Sequence, residues 1–345
     1  MRRAASLIVT LLLWAGAAHA AGDKTVKDWS AVCDNLNACA AFGFSPEGQD
    51  IDSYVRITRA GGPSAQPSVL VVFDAPDQVP SATWTLTLDG KPIAGLGPLH
   101  AEGGTAGARA KLAGSVAMAL IAALRNGQAL EIRKAGKQIV GVSLAGSAAI
   151  LLWVDDQQGR VGTVTALARA GAKPASSVPP PPAMPAIAAA PAVDQSHLPP
   201  PPLLAAVTAI DDCEASDAAK DSEHLVARLA PGVILFGPLC SLGAYNEVNV
   251  FFLGDEHGGN LKRISFPSPP GADQARQDEL MNVGYDPKTR TLSSFAKGQG
   301  LGDCGSVDAW VWDGHAFQLL TEIEIAACRG VLMDDWPSRY VARVK

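Results

Sequence analysis

Long runs of lysine or arginine are absent from this chain after residue 20. Nothing there exceeds the pairs Arg133-Lys134 and Lys262-Arg263. Without a basic cluster there is no footprint for nucleic acid or for an anionic membrane surface, and neither is expected as a partner. Apolar runs of ~18 residues free of charge are also missing beyond the first twenty residues, which excludes a transmembrane helix in the rest of the chain. No nucleophile elbow of the G-x-S-x-G kind occurs, since Gly141-Val142-Ser143-Leu144-Ala145-Gly146 has the wrong second spacing. The cysteines lack the short C-x2–4-C pairs that zinc requires. The histidines after residue 20 (His100, His197, His224, His257 and His315) are scattered. No repeat of fixed period marks a solenoid or propeller. Catalytic residues, a cofactor and a metal are therefore not expected.

What is present begins with an export signal. Met1-Arg2-Arg3 supplies positive charge, Ser6 to Ala17 is apolar, and Ala18-His19-Ala20 before Ala21 is a small-residue cleavage pattern. The apolar core is too short for a membrane span, so residues 1–20 read as a signal peptide and the mature protein as periplasmic or secreted. Its removal leaves 26 Lys+Arg against 34 Asp+Glu, a formal charge of −8. The six cysteines all lie beyond the cleavage point, in a compartment that favours pairing. Spacing makes Cys33–Cys39, Cys213–Cys240 and Cys304–Cys328 the expected bridges.

Composition divides the chain. Lys173 to Leu203 holds Pro179-Pro180-Pro181-Pro182, an Ala/Pro stretch and Pro199 to Pro202, with no apolar periodicity. This reads as an extended linker open to protease, between an N-terminal domain at 22–172 and a C-terminal domain at 204–345. In the first, Tyr54 to Arg59 and Thr83 to Leu88 alternate as strands, and Asp89-Gly90 and Ala135-Gly136 are turn signals. Ser115 is the expected N-cap of a helix ending at Asn126-Gly127, and a last helix starts near Ser147. The pattern predicts a β-sandwich-like domain with helical connections. The second domain reads as an antiparallel β-meander. At Asp313-Gly314 a two-residue turn places Trp312 across from His315 and Trp310 across from Phe317. The fold class is mainly β with a few helices (α+β).

The motifs nearest to chemistry have plainer readings. Gly298-x-Gly300-x-Gly302-x-x-Gly305 precedes a strand and not a helix, so it reads as a tight disulfide-pinned loop needing positive φ, not a phosphate cradle. Asp155-Asp156 and Asp211-Asp212 are adjacent, hence divergent, and read as solvated faces or caps. Asp255-Glu256-His257 with Asn260 departs from the calcium-loop spacing and reads as a polar hairpin tip. Trp310, Trp312 and Phe317 read as core. Trp336, after Asp334-Asp335, is the aromatic expected to be partly exposed.

Tyr285-Asp286-Pro287, Thr291-Leu292-Ser293-Ser294, Gly298 to Gly305, Trp310-Val311-Trp312-Asp313-Gly314, Cys328-Arg329-Gly330 and Asp335-Trp336 together resemble an exported family of Gram-negative bacteria known only as a domain of unknown function. Lys27-Asp28-Trp29, Cys33-Asp34-Asn35 and Asp156-Gln157-Gln158-Gly159-Arg160 extend the resemblance over nearly the whole mature chain. It implies location and build, with no activity attached. More weakly, the opening Trp and Cys pair, the Leu-Asp-Gly turn and the helix–strand–strand–helix order of the N-terminal part resemble invasion-associated locus B proteins, which are exported β-sandwiches.

These readings converge on a non-enzymatic exported protein that binds a protein or envelope component. Gln299 and Leu301 on the glycine-rich loop, with Trp336, are the expected partner-binding residues. Two alternatives stand beside this: an inhibitor or immunity protein that plugs a cell-wall hydrolase with that loop, and a hydrolase whose site assembles only in three dimensions.

Overall fold

Alternating apolar residues give the N-terminal strands one face each for a common core, and the chain threads them into one long sheet. The computed structural model describes residues 22–48, 53–73, 78–105, 107–200, 224–269 and 278–345. The signal-peptide reading of residues 1–20, the pair Asp211-Asp212 and Cys213 lie outside these residues.

The first strands are β1 (Gly22–Val26), β2 (Trp29–Cys33), β3 (Cys39–Phe44), β4 (Ser53–Arg59), β5 (Ser68–Phe73) and β6 (Ala82–Leu88). Then come β7 (Lys91–Pro92), β8 (Leu99–Gly104), β9 (Gly107–Leu112), β10 (Ala129–Lys134) and β11 (Lys137–Ser143). They form an eleven-stranded sheet in the order β1-β2-β3-β4-β5-β9-β8-β6-β10-β11, with β7 beside β6. The sheet doubles over, so that β11 reaches β4, where Ser53 Oγ donates to the Gly141 carbonyl at 3.4 Å. Trp29, Val55 and Val71 from one limb and Trp84, Leu130 and Val142 from the other share a single core. A sandwich-like build thus arises from one folded sheet. Helices α1 (Gly114–Leu124) and α2 (Ser147–Gln157) contribute Leu120, Ile121, Ile150 and Leu151 to the same core. The cap of α1 differs from expectation: Ala113 takes the N-cap place with no side-chain hydrogen bond, and Ser115 lies inside the helix. Gly43 is required by packing, because a Cβ there would stand 2.3 Å from the Trp29 ring.

The remaining strands are β12 (Ala186–Ile187), β13 (Leu225–Ala230), β14 (Val233–Gly237), β15 (Leu239–Leu242), β16 (Glu247–Val250), β17 (Phe252–Gly254) and β18 (Lys262–Arg263). They continue with β19 (Glu279–Met281), β20 (Gly284–Asp286), β21 (Thr291–Lys297), β22 (Gly305–Trp312), β23 (Phe317–Ile325), β24 (Ser338–Val341) and β25 (Arg343–Val344). They pair as a five-stranded meander β20-β21-β22-β23-β24, a four-stranded sheet β13-β14-β17-β18 and a three-stranded sheet β15-β16-β19. Trp310, Trp312 and Phe317 are buried with Phe251 and Phe266. The β22–β23 turn is longer than the two-residue form. The Asp313 side chain accepts from the His315 and Ala316 N–H groups, so Trp312 faces Phe317 and Trp310 faces Leu319. A register shift of two preserves the faces, which is why the aromatic cluster survives.

The proline-rich segment is a docked strap, not the free connector expected from composition. Val178 is buried, and Pro179 and Pro181 lie against Gly159 and Gly62. Strand β12 pairs in parallel with β25, the Ala190 N–H donates to the Trp312 carbonyl, and Gln195 exchanges two hydrogen bonds with the Arg228 backbone. Proline lacks donors but its neighbours do not, and those neighbours are what tie the strap down. The N-terminal sheet and the meander also touch directly. Asn35 pairs with Val341 through its side-chain amide, donating at 3.0 Å and accepting at 2.8 Å. Limited proteolysis should therefore spare residues 173–200. Sequencing of fragments that begin there, while both sheets remain intact, would show instead that the strap peels away.

The Cys33–Cys39 and Cys304–Cys328 bridges are formed as expected. Cys240 is disulfide-bonded as well. One reading of the paired carboxylates is overturned. Asp156 is exposed, but Asp155 is fully buried against Arg59. It accepts from Arg59 Nη2 at 2.8 Å and from the Leu167 and Ala168 N–H groups.

Candidate functional site

The glycine-rich loop joins β21 to β22, and both its ends are fixed. The Gly298 N–H donates to the Cys304 carbonyl at 2.8 Å, and Cys304 is bridged to Cys328. The Gly302 N–H closes an inner turn on the Gln299 carbonyl at 3.0 Å, with φ +69° at Gly302. Asp303 braces the loop from beneath, accepting from Gln299 Nε2 at 2.6 Å and from the Gly330 N–H at 3.0 Å. Asn246 holds the base by donating to the Lys297 carbonyl and accepting its N–H. At the tip, Leu301 is 88% exposed. Tyr245 is 41% exposed and donates to the Gly298 carbonyl at 3.4 Å, so a second exposed apolar side chain stands at the same end.

The chain beyond Cys328 runs back over the outer face of the N-terminal sheet. Val331, Trp336 and Ile325 close on Phe42, Phe44 and Tyr54. Trp336 is 4% exposed, its Nε1 donates to the Val331 carbonyl at 2.9 Å, and its ring meets Phe295 edge-on. It is a core residue that shows only an edge to the adjoining groove, and not the partly exposed recognition aromatic of the sequence reading. The neighbouring Asp334 is exposed but Asp335 is buried. The Tyr54 hydroxyl donates to Asp335 at 2.6 Å and Arg56 Nη1 donates at 2.8 Å. Burial raises the Tyr54 phenol far above its ordinary value, and the bond to Asp335 adds to the rise, so it stays a donor. Two grooves flank this contact. One, of about 360 Å³, is lined by Arg56, Gln66 and Ser338. The other, of about 560 Å³, lies between the sheet face and Asp334-Asp335.

A family model described as "Protein of unknown function (DUF1176)" matches residues 23–343. The chain belongs to the DUF1176 family. The match spans the folded sheet, the strap and the meander alike. "Uncharacterized protein YpfG" of Escherichia coli (strain K12) is 28% identical over 363 aligned positions, covering 98% of this chain and 97% of that protein. No solved structure matches.

In this DUF1176 chain the expected loop residues and Trp336 are not brought to one surface. Leu301 is exposed, Gln299 is tied to Asp303, and Trp336 lies in the core. Tyr245 was missed, since nothing local to Gly243-Ala244-Tyr245-Asn246 points at a loop more than fifty residues away. A third cavity, of about 680 Å³, brings His224, Glu247 and Tyr285 to one lining. His224 Nδ1 accepts the Leu239 N–H, which leaves the neutral ring's proton on Nε2. Burial pushes Tyr285 up to about 12. Gln195 and Asn249 in the same lining already bond to backbone. Asp255 accepts from His257 N, Gly259 N and Asn260 Nδ2, as a polar hairpin tip does. Among the described residues no group of three metal-ligating side chains converges, and no helix is long and apolar enough to cross a membrane.

Proposed function

We propose that this chain is an exported, non-enzymatic binding protein that docks a protein partner of the cell envelope with the 298–305 loop. The observation that carries this reading is Leu301, 88% exposed on a loop held by a disulfide and by the bonds of Asp303 and Asn246. A large apolar side chain gains from leaving water, and a loop already fixed has little conformational freedom left to lose on binding. Export is supported by the signal-like first twenty residues and by the paired cysteines. A cell-wall hydrolase is one partner that suits a single protruding plug. The hydrolase reading of the chain itself has less behind it, because the buried carboxylates Asp155 and Asp335 are engaged by Arg59, Tyr54 and Arg56.

The test is capture from periplasmic extract by immobilised mature protein, beside its Leu301→Asp variant. Partners identified by mass spectrometry on the wild type should be lost on the variant, with the melting temperature unchanged. Equal capture by both proteins, or none by either, would overturn the role of the loop. Loss of muramidase activity on adding the wild type alone would select the inhibitor form of the reading.

A further inference from the structure

Three cations occupy one patch of the N-terminal sheet, and the cross-strand register places them. Arg56 on β4 stands opposite Leu70 on β5, and Leu70 stands opposite Lys111 on β9. Arg109, two residues before Lys111, therefore shares its face. All three line the groove of about 560 Å³ whose far wall carries Asp334 and Asp335. The opposing carboxylates leave donors over. Asp335 takes Arg56 Nη1 at 2.8 Å, yet Arg56 Nε is buried with no partner among the described residues. Arg109 reaches Asp335 only at 3.9 Å, and it makes no ion pair with Glu102, which faces it across β8 and β9. Lys111 is exposed and has no partner among the described residues. Within the groove lining, Arg56, Arg109 and Lys111 face Asp334 and Asp335, while Glu102 lies outside that lining across from Arg109.

We propose that this groove is a binding site for a small oxyanion, a carboxylate or phosphate group held by Arg109 and Lys111 with Arg56 behind them. A guanidinium with open donors beside an ammonium suits either anion, since both present oxygens for charge-assisted hydrogen bonds. The groove walls between the cations are aliphatic, from Leu70, Leu112 and Ala113, so the anion's carrier has apolar surface to rest on. The site is separate from the 298–305 loop.

Isothermal titration calorimetry of the full chain at low ionic strength tests it, with inorganic phosphate and glutarate as the two probes. One or both should bind with 1:1 saturation, and the one that binds identifies the source. Lys111→Gln and Arg109→Gln should each weaken that binding about tenfold or more. Lys134→Gln, an exposed charge outside the groove, should leave it unchanged. Melting curves of each variant separate lost binding from lost folding. No saturable binding of either anion, or equal weakening by Lys134→Gln, would overturn the proposal.

Discussion

Asp155→Ala should lower the unfolding free energy by about 3–5 kcal/mol, because it strands a buried guanidinium. Asp155 and Arg59 have side chains 0% and 1% exposed, with Nη2 and Oδ1 2.8 Å apart. Burial pulls Arg59 down to about 10, opposed by the hydrogen bond to Asp155, so it remains charged at neutral pH and needs its partner. The network reaches further. Arg59 Nε donates to Gln158, Arg59 Nη1 donates to the Thr165 carbonyl, and Arg160 donates to the Gly62 carbonyl and to Thr165 Oγ1. Leu167 and Ala168 would lose their shared acceptor as well. Urea denaturation reads the loss. Asp155→Asn keeps the volume and should still cost more than half as much, whereas replacing both partners with apolar residues should recover most of it. A loss below about 1 kcal/mol for Asp155→Ala would mean that water enters the site.

Trp336→Ala should cost a similar amount, about 3–5 kcal/mol, since it empties an indole-sized volume where the two parts of the chain meet. Its neighbours come from β3 and β4 on one side and from β21, β23 and Val331 on the other. Tyr54 and Arg56 hold Asp335 next to it, so the segment cannot readily collapse into the cavity. Chemical denaturation followed by circular dichroism measures the effect. A cost below about 1 kcal/mol would return Trp336 to the surface and to the list of recognition residues.

Much of the architecture is readable locally. Alternation at Thr83 to Leu88 and the Asp89-Gly90 turn mark β6 and its end, and both turn residues do take positive φ. The pair Ala135-Gly136 does the same between Lys134 and Lys137. These signals depend on a few adjacent residues, so tertiary context has little to add. The main partners of β6 were not readable, because β8 and β10 are chosen by how the whole sheet folds over. At Asp313-Gly314 a side-chain acceptor outcompeted the two-residue turn.

The sequence by itself determined the β-rich class, the pairing of Cys33 with Cys39 and Cys304 with Cys328, the burial of Trp310 and Trp312, and the family. The strands and the buried aromatics follow from patterns of period two and the bridges from the order and spacing of the cysteines, which survive whatever the rest of the chain does, whereas the family rests on the resemblance of its motifs. Only the tertiary structure decided the docking of the strap, the burial of Asp155 and Trp336, the placing of Tyr245 beside the loop, and the gathering of Arg56, Arg109 and Lys111 in one groove. Those contacts join residues tens to hundreds of positions apart. Their energy depends on which surfaces meet, and no local pattern along the chain encodes that.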